Sequence, residues 1–281
     1  MKRVWVFHRG ALGDSVLLWP RLRARVRRGE SVCLVTDGAK ARLAAAELGP
    51  GLKDADAEHP RFRALWRADG PVERLEGVDE VIDHLGGRTT AERLREMFPG
   101  ARVRSEAPPR GGLEAAQWLE SHPEGRAGLR GTANGPVVVH VGAGGEAKRW
   151  PMDRWRELAE AITVAGPSHV VALAGEAEHE RLGHGDASVF ARFGGRYVFE
   201  LDALADQIRH ASLFIGCDTG PTHLAAQLGV PTLALFGPTD PGLWGPVGPV
   251  VRVLAPPRPL GMEWLGVAEV LTAVQALRPM K

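Results

Sequence analysis

Three stretches of the chain hold side chains whose types and spacing suit chemistry. In FHRGALGDSVLLWP, residues 7–20, Asp14 follows Gly13 just after an apolar run. A carboxylate at the carboxyl end of a strand could serve as a base; the same residue at a helix start would also cap it. In VVVHVGAGGEAKRWP, residues 137–151, Gly142, Gly144 and Ala147 satisfy the G-x-G-x-x-G/A spacing of dinucleotide sites, and Lys148 follows as a cation on a long stem. The third stretch, DTGPTHLAAQLGVPTLALFGPTDP, spans residues 218–241. Asp218 ends an apolar run, Gly220 permits a tight turn, Pro221 suits a first helical turn, and Gly229 closes that helix before Pro231. Amides near Thr219 to Thr222, with the hydroxyls of Thr219 and Thr222, are placed to hold an anion, and His223 lies one turn in.

The dinucleotide reading fails in its context. Such a site needs the helix to start inside the glycine loop, so that its N-terminal amides face the pyrophosphate. Here Pro151 marks the first helical turn and leaves Lys148, Arg149 and Trp150 in the loop. No acid stands at the tip of the next strand about 20 residues on to read a ribose hydroxyl; Glu176 and Glu178 come 34 and 36 residues after Gly142. What remains is glycine backbone that a ligand can approach closely, followed by a lysine: a phosphate-binding arrangement without the NAD geometry.

The elements that would position these residues alternate between β-type and helix-type runs. Strands are expected at 4–8, 31–36, 78–83 and 101–103, with helices at 15–27 and 40–48. The glycine-rich stretch 125–135 reads as a linker. Beyond it strands at 137–141, 170–174, 213–217 and 232–236 alternate with helices at 152–164, 204–210 and 222–228. The pattern predicts an α/β protein of two tandem Rossmann-like units, residues 1–133 and 134–281, each with a parallel sheet. A last amphipathic helix over 263–277 carries an apolar stripe read as core packing, with a place at the interface of the two units as an option.

The 281 residues are 44% hydrophobic and 25% charged, an ordinary globular composition. The apolar opening is too short for a signal peptide and no apolar run reaches 18 residues, so a cytoplasmic protein is expected. Cys33 and Cys217 each sit in an apolar run and read as buried free thiols; no cluster has the spacing of a divalent-metal site. Residues 1–133 hold 23 Lys and Arg against 19 Asp and Glu, while the remainder balances negative. Eight of those cations fall in residues 1–28, among them Arg21, Arg23, Arg25, Arg27 and Arg28. A face of that kind suits an anionic lipid surface, a nucleic acid or a phosphorylated acceptor, and equally a solvated helix.

Taken together, ALGD at 11–14 with Pro20, KRWP at 148–151 and the long run from Asp218 to Thr239 resemble glycosyltransferase family 9, the ADP-heptose:lipopolysaccharide heptosyltransferases. The likeness runs in order over most of the chain and is faint between about residues 50 and 130. It implies the GT-B fold, two Rossmann-like domains with a cleft between them, acceptor on the first and nucleotide-sugar donor on the second. It implies an inverting enzyme that requires no metal and no cofactor. Its donor would be ADP-heptose or a related nucleotide sugar and its acceptor a glycolipid or oligosaccharide, without nucleic acid. The basic stretch would then lie against the inner face of the cytoplasmic membrane.

Carried over by motif, the resemblance makes Asp14, after Gly13, the base for the acceptor hydroxyl. Lys148, after Gly144, neutralises the donor diphosphate. Thr219 and Gly220 offer amides to phosphate oxygens, Asp218 reads sugar hydroxyls, and His223 supports that turn. Glu178 is the best match for an acid that binds the nucleotide ribose, with Glu176 and Glu180 competing. The family often carries hydroxyl residues before the lysine; GAGGEA stands there instead. Two other readings stay open, a nucleotide-dependent oxidoreductase and a non-catalytic binder of nucleotide sugars.

Overall fold

A computed structural model describes all residues except 67–69, 166–168 and 278–281. The chain forms two compact units, Met1–Pro109 with Trp118–Arg126, and Arg110–Gln117 with Ala127–Lys281.

The first unit runs β1 Arg3–Phe7, α1 Leu12–Leu17, α2 Trp19–Arg27, β2 Ser31–Thr36, α3 Gly38–Leu48, β3 Leu52–Asp56, α4 Arg63–Trp66, β4 Glu80–Asp83, α5 Arg88–Met97 and β5 Arg102–Ser105. Its five strands are all parallel, in the order β3-β2-β1-β4-β5. The helix expected over 15–27 is two helices that meet at Leu18. Pro20 has no N–H for a continuous helical ladder and sits instead in the first turn of α2. β3 was not anticipated: LKDAD is a polar edge strand, mostly open to solvent. On one face of the sheet Phe7, Phe62, Phe98 and Met97 pack with Leu94 and Val35. Rings within that cluster meet edge-on, Phe7 and Phe62 at 5.7 Å.

Helix α6, Gly112–Ser121, straddles the division, its last turn belonging with the first unit. The second unit continues with β6 Val137–His140, α7 Met152–Val164, β7 Val170–Ala174, α8 Glu176–Arg181, α9 His184–Arg192, β8 Arg196–Tyr197, α10 Leu201–Arg209, β9 Leu213–Cys217, α11 Gly220–Gln227, β10 Thr232–Leu235, α12 Pro241–Trp244, β11 Val251–Leu254 and α13 Val267–Leu277. Six parallel strands lie in the order β11-β10-β9-β6-β7-β8. β6 and β9 are buried along their whole length, as strands covered on both faces must be, which explains their unbroken apolar sequences. α13 packs on α7 inside this unit, with Val270, Ala273 and Val274 joining Trp155 and Leu158 in one core. Trp150 meets Trp155 edge to face at 4.9 Å and donates its indole N–H to the Leu265 carbonyl. Each fully buried side chain of this size contributes on the order of 2 kcal/mol.

Candidate functional site

In a parallel sheet of this kind ligands bind beyond the carboxyl ends of the strands, where successive connections leave in opposite directions. In the second unit that point lies between β6 and β9, neighbours paired with His140 opposite Gly216. The chain leaves β6 through Val141–Gly145 and a short 3₁₀ turn, Glu146–Lys148, before Pro151 caps α7. The helix thus starts outside the glycine loop, and Pro151 stands one residue ahead of the first turn expected of it. Gly144 and Gly145 face open space.

Asp218 follows β9 directly, and here the two motifs meet. Lys148 Nζ lies 2.7 Å from Asp218 Oδ2, and the Thr239 hydroxyl donates to the same oxygen at 2.8 Å. His223, in the first turn of α11, places Nε2 3.7 Å from Oδ1. Burial pushes the Asp218 carboxyl up, and His223, Lys148 and Thr239 overcome it and hold the group below the usual carboxylate range. His223 stands furthest away, so the direct bonds from Lys148 and Thr239 grip more firmly. Asp218 is therefore a buried, ionised acceptor, and Lys148, about a third exposed, is the cation at its rim.

Thr219 caps α11, and Pro221 sits in the first turn. Thr222 N and His223 N return to the Thr219 carbonyl. Gly220 is the first residue of α11, where an N–H has no partner within the helix and the positive end of the dipole lies. Thr222 departs from expectation: it is fully buried, its hydroxyl donating to the Cys217 carbonyl, so it ties the turn to the strand instead of meeting a ligand. Gly216 makes room for it, since a Cβ there would come within 2.5 Å of the Thr222 oxygen.

Of the three acids after β7, Glu176 and Glu180 are exposed and Glu178 is buried. Glu178 occupies the third position of α8, and its carboxylate accepts from Gly175 N at 3.0 Å. It rests against Gly142, where a Cβ would collide with the carboxylate. His140, buried beneath, has its imidazole pushed down by burial while Glu178 pulls it up. The glycine loop and the Glu178 turn are thus one packed arrangement.

In the first unit the corresponding switch lies between β1 and β4, whose ends carry His8 and His84, ring centroids 6.5 Å apart. Asp14 stands at the third position of α1, its carboxylate accepting from Ala11 N at 3.2 Å, while Gly13 is an ordinary helical residue. Gly10 is packed against this group, since a Cβ there would lie 2.5 Å from the His8 ring and 2.8 Å from Asp14 Cβ. His8 Nδ1 faces Gly10 N at 3.2 Å, and Lys40 donates to the Gly10 carbonyl at 3.0 Å. Burial lowers the His8 imidazole to about 4, with His84 adding to the effect and Asp14 opposing it. Asp14 therefore stands beside a neutral histidine.

Residues 114–259 match glycosyltransferase family 9 (heptosyltransferase). The chain belongs to glycosyltransferase family 9. It is 34% identical over 206 residues to lipopolysaccharide heptosyltransferase 1 of Pseudomonas aeruginosa, covering 70% of this chain and 50% of that one. With lipopolysaccharide heptosyltransferase 1 of Escherichia coli K12 it is 31% identical over 172 residues, 59% of this chain and 50% of the relative. The chain thus spans about half the length of the curated relatives it matches. Among solved structures, E. coli heptosyltransferase WaaC with ADP superposes with a TM-score of 0.70 at 19% identity, covering 98% of this chain and 99% of the other. That likeness establishes the GT-B fold.

The strand ends of this family 9 chain also gather Thr239, Gly10, His8 and Lys40, to which the sequence alone did not point. Thr239 lay in view as the end of the long FGPT run, yet nothing local showed that it returns to Asp218 across β10. Gly10 could have been suspected from its place between β1 and the α1 cap. Lys40, 30 residues away, carried no signal. Among the described residues no three His, Cys, Asp or Glu side chains converge as a metal site would require, and no helix is long and apolar enough to cross a membrane.

Proposed function

We propose that this chain is an inverting, metal-independent glycosyltransferase that moves a sugar, heptose or a relative, from an ADP-linked donor to a hydroxyl of a glycolipid or oligosaccharide. The observation that carries the reading is the Lys148–Asp218 contact at the switch point of the second sheet. A diphosphate arriving there meets Lys148, the Gly220 amide and the positive end of α11, charge complements suited to a leaving group. Asp218 and Thr239 are left to accept and donate hydrogen bonds with sugar hydroxyls. Glu178 stands at the neighbouring strand end, where a ribose diol would be read.

In the reaction the Asp14 carboxylate takes the acceptor hydroxyl proton as that oxygen bonds to the anomeric carbon. The bond from the anomeric carbon to the phosphate oxygen breaks, its electron pair leaving with the nucleoside diphosphate, and configuration inverts. Lys148 offsets the charge that develops on the departing oxygens. A glycolipid acceptor would bring the cytoplasmic face of a membrane close, and Arg27, at the exposed end of the basic stretch, is a cation on the surface that would meet it.

A mass-spectrometric screen of the full chain with ADP-, UDP- and GDP-sugars, scoring transfer and hydrolysis, tests the reading. Turnover of ADP-sugars that disappears in Asp14→Asn supports it. Undiminished transfer by Asp14→Asn would remove the base, and stabilisation by NAD but by no sugar nucleotide would return the oxidoreductase reading.

A further inference from the structure

The arginine-rich stretch does not present one basic face. Arg23 and Arg27 point toward the turn after α6: Arg23 donates to the Gly125 carbonyl at 3.0 Å, and Arg27 to the carbonyls of Glu124 and Arg126. Arg21 and Arg25 of α2 and Arg28 at its C-cap are spaced i, i+4 and i+7 on the other side, and Arg28 also donates to the Glu124 carboxylate in that turn at 2.7 Å. They line a cavity of about 390 Å³ inside the first unit, together with Arg104 of β5. Its floor is apolar, formed by Val6 and Ile82 of the sheet with Leu18 and Leu22. Its far wall is Trp118, stacked on His122 at 4.3 Å and 2° and capped by the Arg21 guanidinium 5.6 Å from the ring centre.

The carboxylates that balance these arginines stand mostly behind them. Glu80, 5% exposed, accepts from Lys2 at 2.6 Å and Arg25 at 3.1 Å and pairs with Arg104 at 2.6 Å; Glu30 pairs with Arg25 and Arg28. Burial raises the Glu80 carboxyl, but these three cations hold it below its ordinary value, so it stays ionised and fixes the guanidiniums in place. Glu124 pairs with Arg28 at 2.7 Å from outside the lining; among the described residues that line the cavity Glu106, paired with Arg104 at 3.3 Å, is the one acid against four arginines. Arg25 uses one terminal nitrogen, Nη1, for both of its carboxylates. The cavity is therefore cationic at its wall, apolar at its floor, and of a size that holds a small molecule.

We propose that this cavity binds a small organic anion, a phosphate or carboxylate on an apolar or planar body, with the anionic group on Arg21, Arg25, Arg28 and Arg104 and the body on the sheet face and Trp118. Fixed guanidiniums suit such a group because their planar donors match its oxygens. His84 lines the cavity, and its ring lies 6.5 Å from that of His8. Two sources have this chemistry, a free metabolite and the head group of an acceptor, and the site stands whether or not Asp14 is a base.

Calorimetric titration of the full chain at fixed ionic strength, with phenyl phosphate, inorganic phosphate and benzyl alcohol, tests the proposal. Phenyl phosphate is expected to bind saturably at one site, inorganic phosphate more weakly, and the uncharged alcohol not measurably. Arg21→Gln and, at the more exposed position, Arg28→Gln should each weaken phenyl phosphate about tenfold or more, with Lys148→Ala leaving it unchanged. Absence of saturable binding, or binding lost in Lys148→Ala and kept in both arginine variants, would overturn it. Where transfer is measurable, competition with the glycolipid acceptor identifies the anion as part of that substrate, and an altered rate without competition identifies a separate effector.

Discussion

Lys148 Nζ and Asp218 Oδ2 stand 2.7 Å apart although 70 residues separate them in the chain. The pair joins the segment after β6 to the end of β9, and under the proposed function its ammonium is the group that a donor diphosphate would meet. On that proposal an incoming phosphate would compete with Asp218 for an ammonium already held in place. Such preorganisation lowers the cost of aligning charge during the reaction. Lys148→Ala is expected to reduce kcat/KM by about 100-fold or more, with Lys148→Arg recovering part of it. Steady-state kinetics with the donor identified by mass spectrometry would check this, and an unchanged kcat would reduce the lysine to a surface ion pair.

Gly142 and Glu178 are expected to act as a unit. A methyl group at 142 must displace the Glu178 carboxylate, because the backbone at the end of β6 is held by the sheet. Gly142→Ala should therefore raise the donor Kd about tenfold while leaving kcat of the bound complex near wild type. Glu178→Ala should do the same, and the double variant should be no worse than either, since both remove one arrangement. Titration with ADP across the four proteins tests this, and strictly additive losses would show that the two residues act separately.

Gly229 ends α11 with φ of 82°, and a Cβ there would collide with the Gly128 carbonyl. Both the left-handed backbone and the collision oppose any side chain. Gly229→Ala is expected to cost about 3 kcal/mol, lowering the thermal midpoint by roughly 6–10 °C. A shift under about 2 °C in calorimetry would mean that the turn relaxes freely.

Gly229 and Lys148 also mark how much the chain discloses without its structure. Strand and helix alternation in the second unit was legible because buried parallel strands are apolar throughout, as in VVVH and LFIGC, and because Gly and Pro punctuate the helices between them. The first unit was less so. β3 is polar and lies at an edge, and Leu18 divides one apolar run into two helices, so periodicity was the wrong guide in both places. At the site, local sequence identified residues at strand ends, which is a property of one segment. It could not show that Thr239 and Lys148 share a carboxylate oxygen, or that Thr222 turns inward, because those depend on which strands lie side by side.

His8 supplies a test by acidity. Its imidazole falls from 6.5 to about 4 on folding, chiefly because burial disfavours the charged ring. Between those values the unfolded chain binds more protons than the folded one, so stability is fully present above pH about 6.5 and declines as pH falls toward 4. The loss approaches about 3 kcal/mol at the acid end. His84 and His140 are also lowered and act in the same direction, while Asp218 and Glu80, held down as carboxylates, lose their contribution at more acid pH. His8→Asn keeps an acceptor near Gly10 N and removes one titration, so the comparison with wild type isolates His8. Thermal midpoints of both proteins from pH 7.5 down to 4.5 should converge on acidification, the variant losing about 2 kcal/mol less. Parallel curves would show that His8 titrates alike in the folded and unfolded chain, and the neutral histidine beside Asp14 would have to be given up.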